Sequence, residues 1–160
     1  MPDIEEMKLW LGYDAETGVL TWLQSSAARI HPGDVAGHRN VLGYRTLNFK
    51  GRRYQAHHVA WAFHHGRWPA GILDHINGER DDNRVSNLRE VTASENAQNK
   101  RRARSDNSTG ILGVTIDYKK YRAQIRVNGK STHLGSFSTA EEASAAYLEA
   151  KRRLHPANTL

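Results

Sequence analysis

Two short runs in the first fifty residues, GVLTWL (18–23) and YRTLNF (44–49), alternate apolar with polar positions. A period of two predicts strands, with Leu20, Trp22, Leu47 and Phe49 facing inward. The stretch between them is rich in Gly, Ser and Pro and reads as loop, while Lys50-Gly51 predicts a hairpin turn. The period then changes. In YQAHHVAWAFHHGRWP, Ala56, Val59, Ala60 and Phe63 are spaced i, i+3, i+4, i+7, which predicts a helix closed by Gly66 with Pro69 beyond it. GILDH and LREVT read as short strands separated by the polar loop INGERDDNRVSN, which opens on an Asn-Gly turn signal. Thr92 and Glu95 form a T-x-x-E capping box that starts another helix.

Beyond residue 100 the pattern breaks. KRRARSDNST is basic and aperiodic and reads as a linker. GVTIDY, YRAQIRV and THLGSF are three further strands, with turns expected at Lys119-Lys120 and Asn128-Gly129. Thr139 and Glu142 cap a last helix whose apolar stripe is Ala143, Ala146, Tyr147, Ala150 and Leu154. The expected class is α+β. A β-rich start leads into a strand–loop–strand–helix module over 1–100, then a linker at 101–109. A three-stranded antiparallel sheet packed on one helix follows over 110–160.

Composition narrows the chemistry. Hydrophobic residues are 38% of the 160, enough for modest cores, and there is no Cys. Disulfides, thiol nucleophiles and Cys-based zinc sites are therefore excluded. No apolar run reaches the roughly 18 residues of a membrane span. MPDIEEMKLW lacks the basic-then-apolar order of a signal peptide, so a cytoplasmic protein is expected. Net charge is +6, and it is unevenly spread. Residues 96–130 hold nine basic and two acidic groups, net +7, whereas residues 1–30 are net −3. Such clustering predicts a polyanion-binding surface, with double-stranded DNA as the expected partner.

One constellation could carry a reaction. Asp74 and His75 close a short apolar strand, and Asn96 falls in the first turns of the helix that follows the return strand. A carboxylate at a strand end must be paired, hydrogen-bonded or metal-bound. Asp74 and Asn96 oxygens could share one divalent ion, Mg²⁺ or Mn²⁺ rather than zinc. Neighbouring strand side chains point oppositely, so His75 would act from the other side as general base on an attacking water. Asn87 would tie the loop to the backbone and hold His75 in register. The plainer alternatives are a hydrogen-bonded Asp-His pair and a surface Asn. His57, His58, His64 and His65 suggest zinc, but 57/64 and 58/65 lie about 10.5 Å apart along a helix, so no structural zinc is expected.

These residues resemble a known family. The segment from about 44 to 100 is similar to the HNH endonucleases of phages and mobile introns. The resemblance is carried by D-H-x-N-G at Asp74–Gly78, N-R-x-x-N-L-R at Asn83–Arg89, and the terminal Glu95-Asn96. It implies a ββα-metal fold, His75 as general base, Asn87 as the middle Asn, and Asp74 with Asn96 as metal ligands. His57 falls where such proteins carry a His ahead of the motif. Residues from about 110 to 156 resemble the AP2 DNA-binding domain, whose exposed sheet face lies on DNA. Strand alternation sets Arg122, Gln124 and Arg126 on one face, with Ala123, Ile125 and Val127 under the helix. Arg and Gln can read bases; Lys119, Lys120 and Lys130 would hold phosphates, as would Lys100, Arg101 and Arg102 of the basic linker. Tyr121, where plant members carry Trp, joins the DNA-contacting set. The combination resembles small phage-encoded nucleases, including those of the homing type. A metal-dependent DNA endonuclease is therefore expected, with a non-catalytic DNA-binding regulator as the alternative. One metal site per chain predicts nicking by a monomer, and the sequence leaves monomer and homodimer open.

Overall fold

The structure, a computed structural model, describes residues 1–24, 27–100, 102–127 and 129–155. The chain divides into two compact units, Met1–Val91 and Thr92–Leu160. The helix after Val91 groups with the C-terminal unit.

The first unit begins with α1 (Ile4–Lys8), capped by the Asp3 carboxylate. Strands β1 (Leu11–Tyr13) and β2 (Leu20–Trp22) pair antiparallel. A second sheet has the order β3-β4-β5, from His38–Arg39, Arg45–Phe49 and Arg52–Gln55. Its tight turn is Lys50-Gly51, with φ of 48° and 74°. Two consecutive positive φ values make the hairpin turn whose twist matches paired strands. Helix α2 (Ala56–His65) ends at Gly66 in the left-handed conformation, as its spacing predicts. Strands β6 (Ile72–His75) and β7 (Leu88–Val91) form a separate antiparallel ribbon with Asp74 opposite Arg89 and His75 opposite Leu88.

α2 is the centre of this unit because it is apolar on two sides. Ala56 and Val59 join Met7, Leu11, Leu20, Trp22, Leu47 and Phe49 in one cluster. Ala60 and Trp61 meet Leu73 and Leu88 in another. The second contact fixes the β6–β7 ribbon against the helix, so the strand that carries the Asp-His pair is held by buried apolar surface.

The second unit contains α3 (Ala93–Gln98), β8 (Val114–Asp117), β9 (Lys120–Val127), β10 (Lys130–Phe137) and α4 (Ala140–Leu154). Both helices start on the capping boxes read from sequence, Thr92/Glu95 and Thr139/Glu142. The sheet order is β10-β9-β8, and α4 packs on it through Ala143, Tyr147 and Ala150 against Val114, Ala123 and Ile125. The β8–β9 turn differs by one residue from the expected Lys119-Lys120. Lys120 already pairs with Asp117, so the turn is Tyr118-Lys119, with Tyr118 at φ 55°. Asn128, expected in the other turn, lies outside the described residues. Asn107 and Thr109, in the stretch read as linker, hydrogen-bond the Val114 carbonyl. Buried Lys151 of α4 donates to the Lys100 carbonyl. Among the described residues, no helix is long and apolar enough to cross a membrane.

Candidate active site

Strand alternation separates the Asp-His pair as expected. Leu73 and His75 face α2 and are buried, whereas Asp74 lies on the other face of the ribbon. The Asp74 Oδ2 accepts from Arg89 Nε at 3.1 Å and Nη2 at 2.9 Å. This cross-strand pair follows from their register in the ribbon.

His75 is 4% exposed, and its Nε2 lies 3.3 Å from Oδ1 of Asn83, itself 2% exposed. The Asn83 amide donates through Nδ2 to the Asp81 carbonyl, which fixes Oδ1 as the acceptor. Nε2 of His75 therefore carries the proton in this arrangement, and Nδ1 is the basic nitrogen. Burial holds the His75 pKa below the ordinary histidine value despite the opposing hydrogen bond to Asn83. A neutral imidazole with one nitrogen already protonated can accept a proton only at the other.

The loop that carries Asn83 is pinned at several points. Asn87 donates from Nδ2 to the Asp82 carbonyl at 2.8 Å, and its Oδ1 accepts from the Asn77 N–H at 2.9 Å. Asn87 thus ties the loop to the backbone. Arg45 forks onto both Asp81 oxygens at 2.9 and 3.0 Å. Asp82 is held at a pKa of about 2, chiefly by the Arg84 guanidinium.

The N-terminal strands reach the same loop. The Tyr13 hydroxyl donates to the Asn83 carbonyl at 2.9 Å. Gly18, at φ 74°, brings its backbone so close that a Cβ there would lie 2.4 Å from the Arg84 nitrogen. Sequence reasoning assigned no role to this region, and none of Tyr13, Gly18, Tyr44 or Asn83 entered its site. The one local signal was the density of Asn and Asp in ERDDNRVSN.

Two rings close the other side of His75. His57 of α2 stands edge-on to it with centroids 5.0 Å apart, and the Tyr44 ring is 6.0 Å away. His57 is buried and, with His58 and His75 beside it, its pKa is pushed down to about 3. His57 is a packing neighbour of His75.

A metal site was expected from Asp74 and Asn96. Asp74 fits as a hard anionic donor, and its present occupant is the Arg89 guanidinium. Asn96 lies on α3, in the other unit. Among the described residues, no group of three His, Asp or Glu side chains could hold a metal ion.

In the C-terminal unit, Arg122 and Arg126 are exposed and Gln124 half-buried on β9, with Ala123 and Ile125 buried between them. Lys119 lies in the β8–β9 turn, Lys120 begins β9 and Lys130 begins β10. Arg122 is engaged by His133 Nδ1 at 3.3 Å. Tyr121 packs, partly buried, against the apolar cluster under α4, because alternation sets it with Ala123 and Ile125. Lys100 follows α3 and Arg102 is exposed, while Arg101 lies outside the described residues.

Residues 54–98 match the family model described as HNH endonuclease. The matched segment holds α2, the β6–β7 ribbon and α3, and with them Asp74, His75, Asn87 and Asn96. It supports a nuclease function and implies a nucleic-acid substrate. No curated protein and no solved structure matches the chain.

Proposed function

We propose that the protein is a metal-dependent DNA endonuclease that hydrolyses phosphodiester bonds at His75. The observation that carries this reading is the Asn83–His75 hydrogen bond, which leaves a buried neutral imidazole with Nδ1 as its basic nitrogen. Nδ1 takes the proton from a water in line with the scissile phosphorus. Asn87 keeps the loop, and through it Asn83, in place while this happens. Asp74 and Asn96 would hold one divalent ion, Mg²⁺ or Mn²⁺, and the ion when bound supplies charge stabilisation at the phosphate and its leaving oxygen. Arg89 must then release Asp74, and its guanidinium becomes available to a phosphate oxygen.

The C-terminal unit resembles the AP2 domain and acts as the DNA-holding part. Arg122, Gln124 and Arg126 lie over the duplex, and Lys119, Lys120 and Lys130 hold phosphates, with Lys100, Arg101 and Arg102 extending the basic track. The net +7 of residues 96–130 supports this.

The second reading is a non-catalytic DNA-binding regulator, favoured by the Arg89 guanidinium on the proposed metal ligand. One assay separates them. Supercoiled plasmid is incubated with wild type and His75→Ala, in Mg²⁺, Mn²⁺ or EDTA. Open-circular or linear product that requires metal and is lost in His75→Ala supports the nuclease. Salt-sensitive binding without any cleavage hands the protein to the regulator.

A further inference from the structure

The turn between β3 and β4, which leads into Tyr44, presents two apolar side chains to water. Val41 is 103% exposed and Leu42 61%. Neither can fold under, because the turn is closed by its own hydrogen bonds. The Asn40 side-chain oxygen accepts from the N–H groups of Leu42 and Tyr44, and the Asn40 N–H donates to the Tyr44 carbonyl. The Gly43 N–H returns to the Asn40 carbonyl. Arg80 then locks the turn from outside: Nη1 donates to the Leu42 carbonyl at 2.6 Å and the guanidinium lies 5.0 Å from the Tyr44 ring centroid. The same Tyr44 ring rests against His75 and His57.

We infer that this tip is a wedge for duplex DNA, with Val41 and Leu42 entering the minor groove and unstacking a base step next to the scissile phosphate. The inference rests on the reading above in taking DNA as the partner. Rigid apolar tips of this kind kink duplexes by partial insertion. The rim suits a polyanion: Arg39 and Arg80 both lie beside Gly43, and Arg80 also holds the Leu42 carbonyl. A protein partner fits less well. Two aliphatic side chains fall far short of the roughly 800 Å² that each partner of a stable protein interface buries.

The test uses the full chain in EDTA, so that binding is read without cleavage. The probes are a fluorescein-labelled duplex of mixed sequence and the same duplex with a central mismatched step, whose bases are already partly unstacked. Wild type is expected to bind the mismatched duplex about tenfold more tightly, since less unstacking remains to be done. The double variant Val41→Ser/Leu42→Ser is expected to lose that preference and bind the two duplexes with equal affinity. No preference in wild type overturns the proposal, as does a preference that survives in the double variant. A shift of the double variant from dimer to monomer on gel filtration also overturns it and gives the tip a protein partner. Should circular dichroism show the double variant unfolded, Leu42→Ser alone carries the same comparison. Plasmid cleavage is scored separately. A chain that prefers the mismatch without cutting keeps the wedge and loses the nuclease; one that cuts without the preference does the reverse.

Discussion

His57 and His75 meet edge to face, with centroids 5.0 Å apart and planes at 72°, one from α2 and the other from β6. The contact is made by two residues eighteen positions apart that share no secondary-structure element. It sets how the proposed base is oriented, because the His57 ring fills the space into which His75 would otherwise turn. Replacing His57 by Ala opens a cavity there and is expected to lower stability by about 2–4 kcal/mol. Chemical denaturation measures that loss. His57→Phe keeps the ring and should restore both stability and plasmid cleavage to near the wild-type level.

The same residue makes stability depend on pH. His57 has a folded pKa of about 3 against an ordinary value of 6.5. Between those values the unfolded chain binds a proton that the folded chain refuses, so stability rises with pH across the window. It is lost as pH falls from about 6.5, by up to about 1.4 kcal/mol per pH unit for this group. Burial lowers His58 and His75 in the same direction. Denaturation midpoints at pH 7, 6 and 5 should therefore fall steadily, and His57→Phe should flatten the slope without abolishing it. An unchanged slope in that variant would remove His57 from this role.

Asn83 is expected to matter through the tautomer it selects. In Asn83→Ala, His75 loses the acceptor at Nε2, and the proton can sit on either nitrogen. Cleavage should drop by about 10²-fold, the lower end of what general-base catalysis contributes. Imidazole ¹⁵N shifts should show a mixture of tautomers in the variant and one in wild type. A fold defect alone would leave the tautomer unaltered.

Gly18 lies 57 positions before His75, yet its backbone packs on the loop that holds Asn83. Gly18→Ala meets both a positive φ and a Cβ clash with backbone at residues 83 and 84. A loss of about 2 kcal/mol or more is expected from strain and overpacking together. Loss of cleavage should exceed what the unfolded fraction explains, a point that activity and denaturation curves taken on one sample decide.

For the basic face, Lys130→Ala should reduce the slope of log K against log salt by about 0.9, the value for one phosphate contact. Its affinity loss should be similar on all duplex sequences. A loss confined to one sequence would make Lys130 a base reader.

Local chemistry was legible in the sequence. The capping pairs Thr92/Glu95 and Thr139/Glu142, the Gly66 terminus, the Lys50-Gly51 turn and the in–out alternation of β9 each depend on residues within a turn or two of one another. The opposed faces of Asp74 and His75 follow from the same alternation. What escaped was tertiary. Tyr13 to Asn83, Gly18 to Arg84 and Tyr44 to His75 join residues 31 to 70 positions apart, and no periodicity encodes such meetings. Tyr121 was assigned to DNA from the position where plant AP2 members carry Trp, while parity along the strand sets it on the face of Ala123 and Ile125.

The dependence of Asn83 on Tyr13 and Gly18 bears on how this protein can be dissected. A fragment trimmed to 54–98, the span of the family match, would retain Asp74, His75, Asn87 and Asn96. It would discard the hydroxyl and the glycine backbone that brace the loop from outside that span. Anyone transplanting the proposed nuclease centre into a fusion should therefore begin the insert upstream of Tyr13.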